Sequence, residues 1–109
     1  MVPEDLANSL TGTGSDGKYP NAGLMLDSTG NLLGTTNAGG SACEGTVYEL
    51  RRNSDGTYAS TVTLLYSFTG VGADGKYPSA GLILDSGGNL FGTTNSGGSA
   101  GVGVVFELN

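Results

Sequence analysis

Side chains that can take part in chemistry recur at a fixed spacing along this chain. Asp16, Lys18 and Tyr19 stand in the segment DGKYP, and the same five letters return at Asp74–Pro78. A carboxylate, an ammonium group and a phenol beside flexible glycine loops would suit a polar ligand such as a sugar. The alternative is structural, because aspartate and asparagine cap turns while tyrosine packs between neighbouring units. The structural role is the more common of the two.

The candidate ligand-binding residues come from two loops in each copy. One loop carries DGKYP, and the other follows the segment GTT; an antiparallel unit brings both to the same side. The candidate ligand-binding residues are Asp16, Lys18, Tyr19, Asn37, Asp74, Lys76, Tyr77 and Asn95.

Catalysis and metal binding are not expected. The chain has no histidine, so a serine beside an aspartate has no imidazole base to activate it. Its one cysteine, Cys43, is replaced by Gly101 in the second copy and forms neither an internal disulfide nor a metal site. The segment Asp27–Asn31 lacks the alternating oxygen ligands of an EF-hand loop, and no lysine follows Gly39-Gly40-Ser41 as in a phosphate loop. We therefore predict no catalytic residue, no metal and no cofactor.

Composition and charge limit the possible partners. The 109 residues include 21 glycines at fixed positions of a repeat, which indicates turns and close backbone contacts. The net charge of -6 argues against nucleic acid and anionic membranes as partners. No apolar run approaches the ~18 residues that a membrane span needs. The first residues, MVPEDLANSL, lack the basic and apolar regions of a signal peptide.

The repeat itself is the strongest feature of the sequence. Asp74–Leu108 repeats Asp16–Leu50 at an offset of 58 residues without a gap, and 26 of 35 positions are identical. A period this regular indicates one supersecondary unit copied whole.

Each period predicts four short strands, which we call a to d. Strand a is AGLMLD, Ala22–Asp27, and its continuous apolar run predicts burial of both faces. Strand b is NLLGTTN, Asn31–Asn37, and the turn Asp27–Asn31 before it predicts a hairpin with glycine at positive φ. Strand c is TVYEL, Thr46–Leu50, with Thr46, Tyr48 and Leu50 on one face.

Strand d is TVTLLYSF, Thr61–Phe68, and strict alternation would place Val62, Leu64, Tyr66 and Phe68 on one side. DGKYP is predicted to be a turn in which Pro20 holds Tyr19 extended.

Four antiparallel strands repeated in tandem favour an all-β fold with two four-stranded β-propeller blades in each chain. A solenoid and an eight-stranded barrel are the rival architectures. The predicted divisions are an N-terminal segment over residues 1–15, a first blade over 16–68 and a second blade, with strands a to c, over 69–109.

The combined pattern resembles a known repeat. DG-x-x-P-x-AGLxLDSxGNLxGTT-x-x-GG-x-x-x-x-G-x-V-aromatic-x-L, followed by LLYSF, resembles the glycine-rich "GloVer" tandem repeats of bacterial choice-of-anchor surface proteins. The LDSxGNL hairpin is also similar to that of NHL-type propeller repeats. The resemblance implies a propeller-like fold on exported, surface-anchored bacterial proteins without an established activity, and it carries over no catalytic residue.

The repeat register also predicts assembly. A shift of 58 residues places Leu6 over Leu64 and Leu10 over Phe68, so residues 5–11 read as a worn strand d, with a short helix as the alternative. Two blades do not close a ring, since propellers have about four to eight. We expect this strand to complete the last blade of a neighbouring copy, in a trimer of six blades in preference to a tetramer of eight. The expected interface residues are Leu6, Leu10, Val104, Phe106 and Leu108.

The function predicted from the sequence is that of a non-enzymatic structural or interaction module. The alternatives are a carbohydrate-binding, lectin-like propeller that uses the two loops, and a fragment of a longer surface repeat protein.

Overall fold

The fold was determined from a computed structural model, which describes residue 10, residues 17–20 and residues 22–108. Within these residues the chain forms strands and turns and no helix. The strands are β1 (Gly17–Lys18), β2 (Met25–Leu26), β3 (Leu32–Thr36), β4 (Ala38–Gly39), β5 (Thr46–Leu50), β6 (Thr63–Ser67), β7 (Gly75–Lys76), β8 (Ile83–Leu84), β9 (Leu90–Thr93), β10 (Ser96–Gly97) and β11 (Val105–Leu108).

Within the described residues, the two copies of the repeat form two larger antiparallel sheets and two sheets of two short strands each. Sheet 1 has the order β2-β3-β5-β6, which is the predicted succession a-b-c-d. Sheet 2 contains β8, β9 and β11, which are strands a to c of the second copy. Both copies use the same register, because Leu32 lies opposite Leu50 and Leu90 lies opposite Leu108. The prediction of an all-β repeat is confirmed.

The hairpin between strands a and b has the predicted turn. The Asp27 amide donates to the Asn31 carbonyl oxygen at 2.9 Å, and Gly30 has a φ of 91°. The Asp27 carboxylate accepts hydrogen bonds from the Asn31 amide and side chain at 2.9 and 3.1 Å. An aspartate at the start and a glycine near the end therefore form this turn through local bonds, and the Tyr58 hydroxyl and the Arg52 amide add bonds from outside it to the Gly30 carbonyl oxygen and Asn31 Oδ1.

The sequence predicted a turn at DGKYP, but the segment also contains a short strand. In each copy its Gly-Lys pair forms a two-residue strand, so that β1 pairs with β4 and β7 pairs with β10. This pairing depends on Gly39, which has a φ of 82° and whose ideal Cβ position lies 2.8 Å from the Gly17 Cα. No side chain fits there, so glycine is what lets the two loops approach.

Strand d departs from strict alternation. Tyr66 of β6 lies opposite Val47, whereas Leu64 lies opposite Tyr48, because the register shifts between these pairs. Leu64 and Tyr66 therefore face opposite sides of sheet 1, and the prediction that they share one side is wrong. A residue inserted in one strand of a ladder has this effect, and it is not visible in a regular alternation of residue types.

Each sheet has two faces, which we name by their strand b residues. The front face carries Leu32 in sheet 1 and Leu90 in sheet 2, and the back face carries Leu33 and Phe91. As predicted, Thr46, Tyr48 and Leu50 of strand c share one face, the front of sheet 1.

The core lies between the two sheets. The back face of sheet 1 supplies Leu33 and Val47, and Phe68 joins them just after β6. The front face of sheet 2 supplies Leu82 and Leu90. The rings of Phe68 and Phe106 meet edge to face, with centroids 5.1 Å apart. The sheets are thus stacked through unlike faces.

The apolar run of strand a predicted that both of its faces are buried, and this prediction is wrong. Leu24 and Leu26 on the front of sheet 1 are 58% and 60% exposed, and Ile83 on the back of sheet 2 is 67% exposed. Leu82, by contrast, is 7% exposed, because the front of sheet 2 faces sheet 1. Within the described residues, the back face of sheet 2 is exposed at Ile83 and Val105, whereas the front face of sheet 1 is exposed along strand a and buried at Thr46, Tyr48 and Leu50 of strand c.

A glycine lies opposite an aromatic residue at the centre of each sheet. Gly34 pairs with Tyr48, and Gly92 pairs with Phe106. A Cβ added at Gly92 would lie 2.6 Å from Phe106 Cζ and 2.9 Å from Leu82 Cδ2. The ring therefore occupies the space that a side chain would need, and it is the same ring that contacts Phe68.

We expect Gly92→Ala to lower the free energy of unfolding by about 2 kcal/mol, because overpacked core positions cost about 1–3 kcal/mol. Gly81→Ala is the matched control, since no atom lies within 4 Å of its added Cβ and its φ is not in the left-handed region. It should leave stability unchanged or raise it by up to about 1 kcal/mol. Urea unfolding followed by circular dichroism measures both, and equal losses in the two variants would contradict this account.

Candidate binding surfaces

The structure brings together three of the predicted ligand-binding residues in each copy. The Asn37 amide donates to the Tyr19 carbonyl oxygen at 2.9 Å, and Lys18 Nζ lies 5.4 Å from the centre of the Tyr19 ring. The second copy repeats this arrangement. Its distances are 3.0 Å from the Asn95 amide to the Tyr77 carbonyl oxygen and 5.2 Å from Lys76 Nζ to the Tyr77 ring.

The proline after Tyr19 predicted an extended backbone for this tyrosine, and this prediction is wrong. The φ of Tyr19 is 62°, and that of Tyr77 is 58°, both in the left-handed region. A bulky residue rarely adopts this conformation, which costs of the order of 1–3 kcal/mol when the surroundings impose it. The neighbouring β1–β4 and β7–β10 pairs fix the chain on one side, and the bond from the asparagine fixes the tyrosine carbonyl on the other.

Asp74 acts as a cap within its own loop. Its carboxylate accepts hydrogen bonds from the Thr69 amide and hydroxyl, both at 2.8 Å, and from the Tyr66 hydroxyl at 3.0 Å. Partial burial alone would raise the pKa of Asp74, but these hydrogen bonds hold that pKa below its ordinary value. The pKa of the Tyr66 hydroxyl is raised by its burial and by its bond to the carboxylate. The carboxylate is therefore occupied by the fold.

Asp16 and Leu6, also predicted as site residues, lie outside the described residues, as do the other residues of the predicted N-terminal strand except Leu10. The segment Asp27–Asn31 and its counterpart Asp85–Asn89 are closed by their own hydrogen bonds. Within the described part of the chain, no group of three or more cysteine or acidic residues is arranged to hold a metal ion. In the same residues no helix is long and apolar enough to cross a membrane.

The two tyrosine loops differ in what they contact. The Tyr77 amide donates to the Glu44 carbonyl oxygen of the first copy at 2.8 Å. Pro78, which is buried, lies against Gly45, where an added Cβ would be 2.6 Å from the proline Cδ. Loop Tyr77-Pro78 thus docks on sheet 1, whereas Tyr19 is 60% exposed and Pro20 is exposed.

A groove lies over the front face of sheet 1, beside the exposed tyrosine loop. Its volume is about 490 Å³. Leu10, the counterpart of Phe68 in the repeat register, lines the groove together with Tyr48. Burial raises the pKa of the Tyr48 hydroxyl. The groove is lined by Leu10, Lys18, Tyr19, Pro20, Leu24, Leu32, Tyr48, Leu50 and Val62.

The predicted interface residues of strand c have an internal role. Phe106 and Leu108 pack against the core between the sheets, and the Val104 amide donates to Thr94 Oγ1 at 3.1 Å. Their part in contacts between copies stays a prediction. Pro78 and Gly45, which join the two copies, were not singled out from the sequence, although both have counterparts at the same repeat positions, Pro20 and Gly103.

The fold and these surfaces define an all-β tandem-repeat protein built from antiparallel sheets that stack through unlike faces. The sequence model of the Gloeobacter/Verrucomicrobia repeat matches residues 4–109, and the chain belongs to this family. The predicted resemblance to the GloVer repeat is thereby confirmed. Neither the curated proteins nor the solved structures contain a match to the chain.

The Asp74 cap makes a pH-dependent contribution to stability. Because the folded-state pKa is lowered, this contribution is present at neutral pH and is lost as the pH falls through that pKa, below about 3.8. We expect Asp74→Asn to lower the free energy of unfolding at pH 7 by about 1–2 kcal/mol, since hydrogen bonds to charged groups are stronger than neutral ones. The difference from the parent chain should shrink towards pH 3, where the parent carboxylate takes up a proton.

Urea unfolding at pH 7, 5 and 3 measures this difference. Glu107→Gln serves as the control, because the Glu107 side chain is exposed and makes no hydrogen bond among the described residues. A deficit in Asp74→Asn that is the same at all three pH values would contradict the assignment.

Proposed function

We propose that this chain is a non-enzymatic structural module of the β-propeller type, which assembles with further copies of itself. One observation carries the proposal: the back face of sheet 1 covers the front face of sheet 2. A contact between two unlike faces can be repeated from unit to unit, as in a ring of blades.

The strand order supports the comparison with propeller blades. Sheet 1 is a four-stranded antiparallel meander, a-b-c-d, which is the usual blade. About four to eight blades surround the axis of a propeller, so a ring needs the sheets of several copies. Three chains would supply about six blades, which is the assembly that we favour.

An exchanged strand would join neighbouring copies. Among the described strands, β11 is the edge of sheet 2, in the position where β5 of sheet 1 pairs with β6. Residues 5–11 repeat the sequence positions of β6 and would add a fourth strand to β11 of a neighbour. Leu10 supports this placement, because it lines the groove on the front of sheet 1, much as Phe68 contacts the front of sheet 2.

The polar groups favour a structural over a ligand-binding role. Asp74 is engaged in its own loop, and the Tyr77 amide is bonded to Glu44. The two tyrosine loops therefore present different surfaces, whereas a lectin with one site in each blade would need them alike. Carbohydrate binding is accordingly less well supported than assembly.

We expect the intact chain to have a solution mass that is a multiple of its 10.8 kDa, with three copies favoured. Removal of residues 1–12 should reduce the assembly to monomers, because the neighbour's sheet would lose its fourth strand. Size-exclusion chromatography with light scattering, over a hundredfold range of concentration, measures the mass of each.

The double variant Leu6→Ser/Leu10→Ser keeps the chain length and tests the same strand through its apolar side chains. Circular dichroism confirms that each variant retains its strands. An intact chain that is folded and monomeric at every concentration would contradict the proposal.

A further inference from the structure

Two outer faces of this chain are the counterparts of the two faces that are joined inside it. We infer that the front face of sheet 1 of one chain binds the back face of sheet 2 of a second chain. We also infer that the Tyr19 amide of the first chain donates to the Val102 carbonyl oxygen of the second chain. The inference rests on the proposed self-assembly and names its surfaces and its polar contact.

The exposed apolar side chains of the described residues are concentrated on these surfaces. Nine large hydrophobic side chains are exposed, and six of them belong to the two outer faces or to the loops beside them. On the front of sheet 1 and its loop they are Tyr19, Leu24 and Leu26, and on the back of sheet 2 and its loop they are Ile83, Val102 and Val105.

The internal interface shows what covers such residues. Val105 occupies the repeat position of Val47, which is fully buried, yet Val105 is 80% exposed. Leu24 occupies the position of Leu82 and is 58% exposed against 7%. Docking of a second copy would continue the internal interface and bury each exposed residue as its counterpart is buried here.

The hydrogen bond between the copies follows from the same correspondence. Within the chain, the Tyr77 amide donates to the Glu44 carbonyl oxygen at 2.8 Å. The counterparts are Tyr19 and Val102, and among the described residues neither the Tyr19 amide nor the Val102 carbonyl oxygen has a hydrogen-bond partner. The left-handed backbone of Tyr19 is already that of Tyr77, so its amide is preset for this bond. Val102 is 79% exposed and takes the repeat position of Glu44. Its apolar side chain would contact the neighbouring chain.

The groove on sheet 1 fits a protein loop better than a small molecule. Its volume of about 490 Å³ lies in the range of ligand pockets. In sheet 2, however, the equivalent positions are covered by sheet 1, with Pro78 against Gly45 and Phe106 against Phe68. Pro20 of one chain and Gly103 of a second chain would repeat the contact that Pro78 and Gly45 make within the chain.

The two docking surfaces are different, so the contact is head to tail. The docked faces and the exchanged strand belong to the same junction between two chains, so blocking either surface on every chain breaks the face contact at every junction. A mixture of the two kinds of blocked chain still contains one unblocked surface of each kind, and these can form one intact junction. We therefore design Val105→Asp to block the back face of sheet 2 and Leu24→Asp to block the front face of sheet 1. Val71→Asp is the matched control, because Val71 is 74% exposed and lies in the loop between β6 and β7, outside the strands of both sheets.

At a concentration where the parent chain is assembled, each blocking variant alone should have the monomer mass of 10.8 kDa, and Val71→Asp should keep the parent mass. An equimolar mixture of the two blocking variants should double in mass to a dimer of one chain of each kind. Light scattering gives the masses, and native mass spectrometry gives the composition of the mixed dimer. Ile83→Lys, on the same face as Val105, replaces Val105→Asp if circular dichroism shows that variant to be unfolded.

Several outcomes overturn the inference. If the parent chain assembles but Val105→Asp or Leu24→Asp keeps the parent mass, the surfaces are wrong while the proposed self-assembly stands. If one variant alone is a monomer and the mixture gains no mass, the contact is not head to tail. If a small molecule accompanies a monomeric parent chain in native mass spectrometry, the groove is a ligand site. A parent chain that never assembles removes the proposed function as well.

Discussion

The Phe68 ring is the contact on which the arrangement of the two sheets depends. It is 1% exposed, and the rings of Tyr66 and Phe106 meet it edge to face at 5.0 and 5.1 Å. Such pairs contribute about 0.5–1.5 kcal/mol beyond the burial of their area. Tyr66 belongs to sheet 1 and Phe106 to sheet 2, so one side chain fixes the distance between the sheets.

The backbone around Phe68 holds this ring in place. The Phe68 amide donates to the Gly45 carbonyl oxygen at 2.9 Å, and Thr69, the next residue, is bonded to the Asp74 carboxylate. These hydrogen bonds therefore fix the path of the backbone where the chain passes from sheet 1 to sheet 2. The register shift in β6 belongs to the same device, because it turns Tyr66 towards the back face, where the ring of Phe68 lies.

The elements that the sequence predicted well are those whose residue types give a clear local pattern. Strand c was predicted with its observed bounds, because β-branched and aromatic residues alternate between two glycine-rich or polar loops. The turn after Asp27 was predicted because the bonds of its aspartate lie within five residues. The meeting of the two loops followed from the antiparallel order of the strands, although the short β1–β4 pairing did not.

The errors concern features that the rest of the fold imposes. The left-handed Tyr19 opposes the local preference of a residue before proline, and it exists because Lys18 is paired with Ala38 and the Tyr19 carbonyl oxygen accepts a hydrogen bond from the Asn37 amide. An apolar strand a predicts two buried faces, but which face is covered depends on the partner sheet, and the repeat does not reveal that Leu82 is covered and Leu24 is not. The pairing of Pro78 with Gly45 crosses the two copies and has no local signal.

The shared register of the two sheets also shapes the folding landscape. In both repeats a glycine of strand b lies opposite an aromatic residue of strand c, since Gly34 pairs with Tyr48 and Gly92 with Phe106. Strand b of one repeat therefore fits strand c of either repeat. A chain with two such units contains exchanged pairings of nearly equal local energy, within one molecule and between molecules. The short a–b hairpin and the loop from b to c lower the entropy cost of the correct pairing relative to the exchanged ones. The connection through Phe68 to Asp74 is unique among the described residues, and it distinguishes the first unit from the second during folding.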